Sequence, residues 1–246
     1  MLVLIAVVFG IAGFVKGVIG LGLPTVSMGL LAVAMTPLQA LTIVIVPAIV
    51  TNLWQTFAGP HLPAILRRLW PLLLGTMVAI LSSGALMAGS YARYASIVLG
   101  LLLVLYALLG LTRLEFRTAP RNERWVGGIV GLLTGVIAAA TGVQVIPSMP
   151  FLQSIGMEKD ELIQALGVFF TVATVAQAFN LTSVGLLNAS TALPGLVAMG
   201  AAFAGLFLGQ AVRQRMRPEQ FRRWFLIAML VLGAYLSASA ITALWP

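Results

Sequence analysis

Gly13-Phe-Val-Lys16-Gly17-Val-Ile-Gly20-Leu-Gly22-Leu-Pro24-Thr25-Val-Ser27 places four glycines, a proline and a lysine inside otherwise unbroken hydrocarbon. Lys16 is the only formally charged side chain between Met1 and Leu66. A related stretch recurs half a chain later, from Gly135 through Thr141-Gly142-Val-Gln144-Val-Ile-Pro147-Ser148. Helix-breaking apolar segments at matching places in two halves are the sequence pointer to a transporter's binding site.

The surroundings decide the class. Of 246 residues 61% are hydrophobic and only 8% charged, with mean hydropathy +1.08. An ordinary soluble domain is about 25% charged, so this composition cannot build a water-soluble surface. Apolar runs long enough to cross roughly 30 Å of hydrocarbon as helices recur throughout. The short alternating segments of a membrane β-barrel do not occur. The expectation is an all-α polytopic membrane protein. Its net charge of +8 comes from arginines in short loops, which read as topology signals rather than as a nucleic-acid surface. There is no cysteine, which excludes disulfides, thiol catalysis and cysteine-held metal. Leu-Val-Leu-Ile follows Met1 directly, without the basic region of a cleaved signal peptide. The lipid bilayer is an expected partner.

Two repeats are expected. The first, residues 1–116, has a broken segment at 2–35, built from apolar pieces at 2–15 and 24–35, and helices at about 38–57, 69–89 and 94–112. The second, residues 117–246, has a broken segment at 126–156 and helices at about 162–182, 190–210 and 224–244. Thr36-Pro37 supplies a helix start, with Thr as N-cap and Pro at the first helical position. A polar connection spans 59–68. An offset of 122 superimposes Gly13 on Gly135, Gly20 on Gly142 and Gln55 on Gln177. The shared order of break, polar-bearing helix and two plain helices argues for an internal repeat.

Charge counting then selects a topology. If each broken segment crossed the membrane once, the loop cations would divide almost evenly between the two faces. If each turns back to the face it entered, Arg67, Arg68, Arg113, Arg117, Arg121, Arg124, Lys159, Arg213, Arg215, Arg217, Arg222 and Arg223 share one face and only Arg93 lies opposite. The second arrangement gives inverted repeats, each a re-entrant helical hairpin plus three transmembrane helices. Both termini are then outside and the Arg-rich loops cytoplasmic.

Helix starts at 23–25 and 147–148 present unpaired N–H groups and positive dipole ends to an anion. Lys16 adds a full charge that costs at least about 2.5–3.5 kcal/mol in hydrocarbon unless it finds water or a partner. All six acids (Glu115, Glu123, Glu158, Asp160, Glu161, Glu219) lie in loops or at their edges, so a transported anion is the candidate partner. The rival account has Lys16 snorkelling to the outer surface. Gly20, Gly22 and Gly142 serve either a backbone-lined site or close helix packing. Asn52, Gln55 and Thr56, with Thr174, Gln177 and Asn180 in the other half, could coordinate a sulfonate or act as interhelical glue. Thr25, Ser27, Thr141, Gln144 and Ser148 lie beside the breaks. His61 reads as solvated. No catalytic or metal-ligating constellation is present, which argues against an enzyme, and no cofactor is implied. Without a buried carboxylate, a coupled proton would have to move on the substrate or through Lys16.

Gly13-x-x-x-Gly17-x-x-Gly20-x-Gly22-x-Pro24, its second copy Thr141-Gly142-x-Gln144-x-x-Pro147, and the charged turn before Gln164 resemble the TauE/SafE sulfite-exporter family over essentially the whole chain. The sequence departs from the commoner pattern in having Leu21 and Leu23 where further glycines are usual, and its second copy is glycine-poor. The resemblance implies secondary transport of a small sulfur-containing anion, sulfite or an organosulfonate, across the inner membrane. An anion channel or a carrier for a different small solute are the alternatives, and a homo-oligomer is left open.

Overall fold

The computed structural model describes residues 1–20, 22–83, 94–112, 117–183, 185–187, 189–213 and 218–244. Leu21, Arg93, Arg113, Glu115, Arg215 and Arg217 lie outside the described residues. Among the described residues there is no strand. The helices are α1 (Leu2–Ile19), α2 (Leu23–Leu31), α3 (Pro37–Phe57), α4 (Leu62–Ser82), α5 (Ala95–Thr112), α6 (Glu123–Thr141), α7 (Ser148–Ser154), α8 (Lys159–Ser183), α9 (Ala189–Arg213) and α10 (Pro218–Leu244). Among the described residues, eight of these helices are long and apolar enough to cross a membrane, and α2 and α7 are too short. The chain is an all-helical, multi-pass membrane protein.

The first break is narrower than the sequence suggests. The helix expected to stop at residue 15 runs on to Ile19, and only the segment around Gly20 and Gly22 departs from it. Both glycines take left-handed backbone, φ 88° and 104°, a conformation a side chain disfavours. Gly20 closes α1 by donating its N–H to the Lys16 carbonyl at 2.7 Å. Gly13 and Gly17 lie within regular helix and serve packing instead. A Cβ on Gly13 would fall 2.1 Å from the Ala202 carbonyl oxygen of α9, and one on Gly17 2.3 Å from that of Leu206. Small residues let two apolar helices approach until their backbones touch.

The other half repeats this contact. Gly131 and Gly135 of α6 lie against Leu72 and Thr76 of α4 in the same way. The six most extensive helix pairings share the property. α1 packs on α9 as α6 packs on α4, α3 meets α9 as α8 meets α4, and α3–α8 and α5–α10 pair with each other. Exchanging the halves maps these six pairings onto one another, whereas α2 packs against α5 and α10 more extensively than α7 does.

Side-chain registers give the directions. Lys16 reaches Thr51 and Asn52, while Gln55 reaches Gly20, so α1 and α3 run the same way. The chain returns between them through α2. Likewise Thr118, just before α6, bonds Ser154 at the end of α7, backbone to backbone at 3.0 Å and hydroxyl to hydroxyl at 2.6 Å. Each broken segment therefore comes back to the end of the bundle where it began. Gly20 lies beside Gln55 and Ile163, so the tip of the first hairpin points to the end from which the second starts.

Thr36 caps α3 as expected, and adds a capping box: its hydroxyl accepts from the Gln39 N–H at 3.3 Å and its own N–H donates to Gln39 Oε1 at 3.1 Å. The start of α4 departs from expectation. Arg67 and Arg68, assigned to a polar connection, sit inside it, because Pro63 begins the helix and Ile65, Leu69 and Leu72 form one buried stripe on its face. Arg68 then spans several elements. Its Nε and Nη2 each donate to a Glu123 carboxylate oxygen at 2.8 Å, Nη2 also reaches the Ile155 carbonyl at 2.7 Å, and Nη1 lies 3.8 Å from Glu161.

Candidate functional site

Three elements converge at the first break. Lys16, a turn before Gly20, is only 5% exposed. The snorkelling alternative therefore fails. The ammonium donates to Asn52 Oδ1 at 2.7 Å and to Thr51 Oγ1 at 3.1 Å. The Thr51 hydroxyl donates its hydrogen back to the Pro47 carbonyl one turn earlier, at 2.8 Å, and keeps its lone pairs for the lysine. Among the described residues no acid pairs with Lys16. Asn52 is fully buried, and its Nδ2 has no hydrogen-bond partner. A buried cation thus sits beside a buried N–H donor with nothing to bond, an arrangement that costs free energy unless an acceptor arrives.

The second break gathers neutral groups. Gly142 ends α6 with φ 74°, and the peptide between Ile146 and Pro147 is cis. Thr141 bonds locally, its hydroxyl donating to the Ile137 carbonyl at 2.8 Å and accepting from the Val143 N–H at 3.2 Å. From the extended segment beyond, Gln144 Nε2 donates to Gln177 Oε1 at 2.6 Å and to Thr174 Oγ1 at 3.4 Å. Gln177 Nε2 in turn donates to the Ala138 carbonyl at 2.7 Å. Gln144 Oε1 is buried without a partner.

These two groups share the seam between α3 and α8. Thr56 and Thr171 touch hydroxyl to hydroxyl across it at 3.0 Å. Gly167 lies against Gln55, and Gln164 reaches the Thr56 and Gly59 carbonyls, so the two helices run antiparallel. One turn from the Thr56–Thr171 contact, the same faces carry Asn52 on α3 and Thr174 on α8.

Not every expected residue joins them. Gln55 spends its amide on the carbonyls of Gly20, at 3.3 Å, and Ile163, at 2.7 Å, so it braces the break. Thr25 is buried in the first turn of α2. Ser27 and Ser148 bond back to the Leu23 and Gln144 carbonyls. Asn180 lies farther along α8, where Nδ2 donates to the Ile80 carbonyl near the end of α4 at 2.6 Å. It belongs to the frame. Thr51, absent from the sequence candidates, is a direct partner of the lysine, and the available signal was a hydroxyl next to Asn52 in an apolar helix. Gln164 was passed over too: it closes the end of α3 and accepts from the half-buried His61 N–H at 2.9 Å.

A cavity of about 1470 Å³ opens at the end of the bundle that carries Arg68, Arg117, Arg222 and Arg223, with Glu123 on its wall. Met149, Pro150 and Gln153 of α7, the last turns of α5 and the first turns of α10 complete it. Ile19, before the first break, and Ile146, within the second, also line it. The polar seam is not part of its wall. The cavity meets both breaks through apolar side chains only.

Comparison with curated proteins and with solved structures finds no match. A family model described as Sulfite exporter TauE/SafE matches residues 4–236. An all-helical chain with eight potential spans among the described residues, and a buried lysine beside its first break, is thereby placed among transporters. The chain belongs to the sulfite exporter TauE/SafE family.

Proposed function

We propose that this protein is a secondary transporter that exports a small sulfur-containing anion, sulfite or an organosulfonate, across the inner membrane. The observation that carries the reading is the buried Lys16 ammonium, bonded only to neutral oxygens, beside the unpartnered Asn52 Nδ2. The pair would hold two oxygens of an oxyanion, and the anion would supply the charge that Lys16 otherwise lacks. Its place beside a break, where α1 ends against α3, suits alternating access. In this reading the two halves are inverted repeats, the termini are outside, and the arginine-rich end is cytoplasmic. The cavity at that end makes the present conformation inward-facing, with the site closed off from it by Ile19 and Ile146. Basic side chains around the mouth raise the local concentration of anions. An inside-negative potential drives an anion outward, by about 2.3 kcal/mol per charge per 100 mV, so export needs no chemical step and no catalytic residue.

The test is thermal shift of the purified protein across sulfite, sulfate, sulfoacetate, taurine and isethionate, with Lys16→Met in parallel. Stabilisation by a sulfur anion that disappears in a variant still melting cooperatively supports the proposal. No response from the native protein to any of them sinks it.

A further inference from the structure

The two unpartnered atoms in the seam are of opposite kind, and the network forces them to be. The Ala138 carbonyl can only accept, so Gln177 turns its nitrogen to it and its oxygen to Gln144. Gln144 must answer with its nitrogen, and its oxygen is the atom left over. At the other break Lys16 can only donate, so Asn52 turns its oxygen to the ammonium and its nitrogen is left over. The threonines cannot help, because the Thr51 and Thr174 hydroxyls give their hydrogens to the Pro47 and Phe170 carbonyls at 2.8 and 2.6 Å. The seam thus offers a cation and a free donor from one half, and a free acceptor from the other.

A fully deprotonated oxyanion satisfies the first pair and sets lone pairs against Gln144 Oε1. We propose, resting on the reading that this seam holds a small sulfur anion, that the site takes the anion in a donor-bearing form. Hydrogen sulfite as S–OH, or a monoanion carrying N–H on sulfur, fits. Two of its oxygens accept from Lys16 Nζ and Asn52 Nδ2, and its own hydrogen goes to Gln144 Oε1. A buried site built to accept a substrate hydrogen rejects the analogue that lacks it, because the acceptor stays unpaired. When hydrogen sulfite is the cargo, one proton travels with each anion. That removes the need for a carboxylate relay: among the described residues Glu123, Asp160 and Glu161 lie in the first turns of their helices, not at the seam.

Sulfamate and methanesulfonate separate the possibilities, being monoanions of nearly equal size that differ in an NH₂ against a CH₃ on sulfur. Each is titrated, with sulfite alongside, into the purified full-length protein. Sulfamate should bind at least about tenfold tighter, and in Gln144→Met the ratio should fall to about one through loss of sulfamate affinity. Equal binding of the two by the native protein overturns the donor requirement and leaves the anion site standing, and a ratio that survives Gln144→Met overturns the role of Gln144. A response to sulfite alone also counts against the inference. Silence from all three overturns the anion reading beneath it.

Discussion

At the first break a charged side chain does the reaching, as Lys16 crosses from α1 to Thr51 and Asn52 on α3. The position 122 residues on is Ala138, which offers only its carbonyl, and it is Gln177 that reaches back from α8. Asn52, with an amide, corresponds in the same way to Thr174, with a hydroxyl. The packing beneath is alike in both halves, down to glycines that admit a neighbouring carbonyl. The close packing repeats while the side chains at the breaks differ: one break brings Lys16 and a free donor, the other a free neutral acceptor. Under the proposed function, like packing would let the two hairpins move against their partners in like ways, and the unequal linings would orient a bound anion.

The equivalence of the frames is the first thing to break, and it carries the largest effect. A Cβ at Gly13 meets the Ala202 backbone, and one at Gly135 meets Ala79 Cβ at 2.5 Å and the Thr76 carbonyl at 2.6 Å. Neither neighbour can step aside as a flexible side chain would. Gly13→Val and Gly135→Val should each cost about 3 kcal/mol, seen as matching falls in melting temperature of the detergent-purified protein. A large fall for one and none for the other would show that only one half uses its close crossing.

The divergence of the linings is tested by Lys16→Met. Removing a charge-assisted bond to the bound anion should weaken sulfite or sulfonate binding about a hundredfold. Melting should stay cooperative, since the variant replaces a buried cation with a chain of similar volume. Unchanged affinity would move the charge out of the site and leave the lysine as a helix-to-helix brace.

Much of this frame could be read from the residues. Composition gives the membrane class, Thr36-Pro37 the start of α3, and the two glycine–proline stretches the breaks. Glycine type alone could not separate Gly13 and Gly17, which admit a neighbouring backbone, from Gly20 and Gly22, which turn the chain. That distinction depends on what α9 presents, and α9 lies far along the sequence. The polar residues divide for the same reason. Asn52, Gln55, Gln177 and Asn180 look alike as amides in apolar helices, and only their partners sort a free donor from a brace, a relay and a helix-end contact. Arg68 was misread because a polar stretch resembles a loop until the buried stripe through Leu69 and Leu72 is matched to α6 and α8.

Arg68 offers a smaller test, at the mouth that the second hairpin shares with the cavity. Its side chain is 33% exposed and that of Glu123 14%, so water screens the pair and lowers its worth. The two parallel bonds to one carboxylate raise it again. A double-mutant cycle with Arg68→Met and Glu123→Gln should give a coupling of about 1 kcal/mol in thermal stability. Additive effects would mean that the Ile155 carbonyl, rather than the carboxylate, is what Arg68 holds.

The smallest effect on binding belongs to Asn180, and it marks where the proposed site ends. Its Nδ2 donates to the Ile80 carbonyl at 2.6 Å, tying α8 to the last turn of α4 away from the Asn52–Thr174 level of the seam. That carbonyl also accepts from the Ser83 N–H at 3.3 Å, so truncation does not leave it bare. Asn180→Ala should therefore cost about 1 kcal/mol of stability and leave anion affinity where it was, in contrast to Lys16→Met on the same assay. If affinity falls with Asn180→Ala while melting is unchanged, the anion lies nearer α4 than the seam, and the unpartnered atoms of Asn52 and Gln144 are not what it meets.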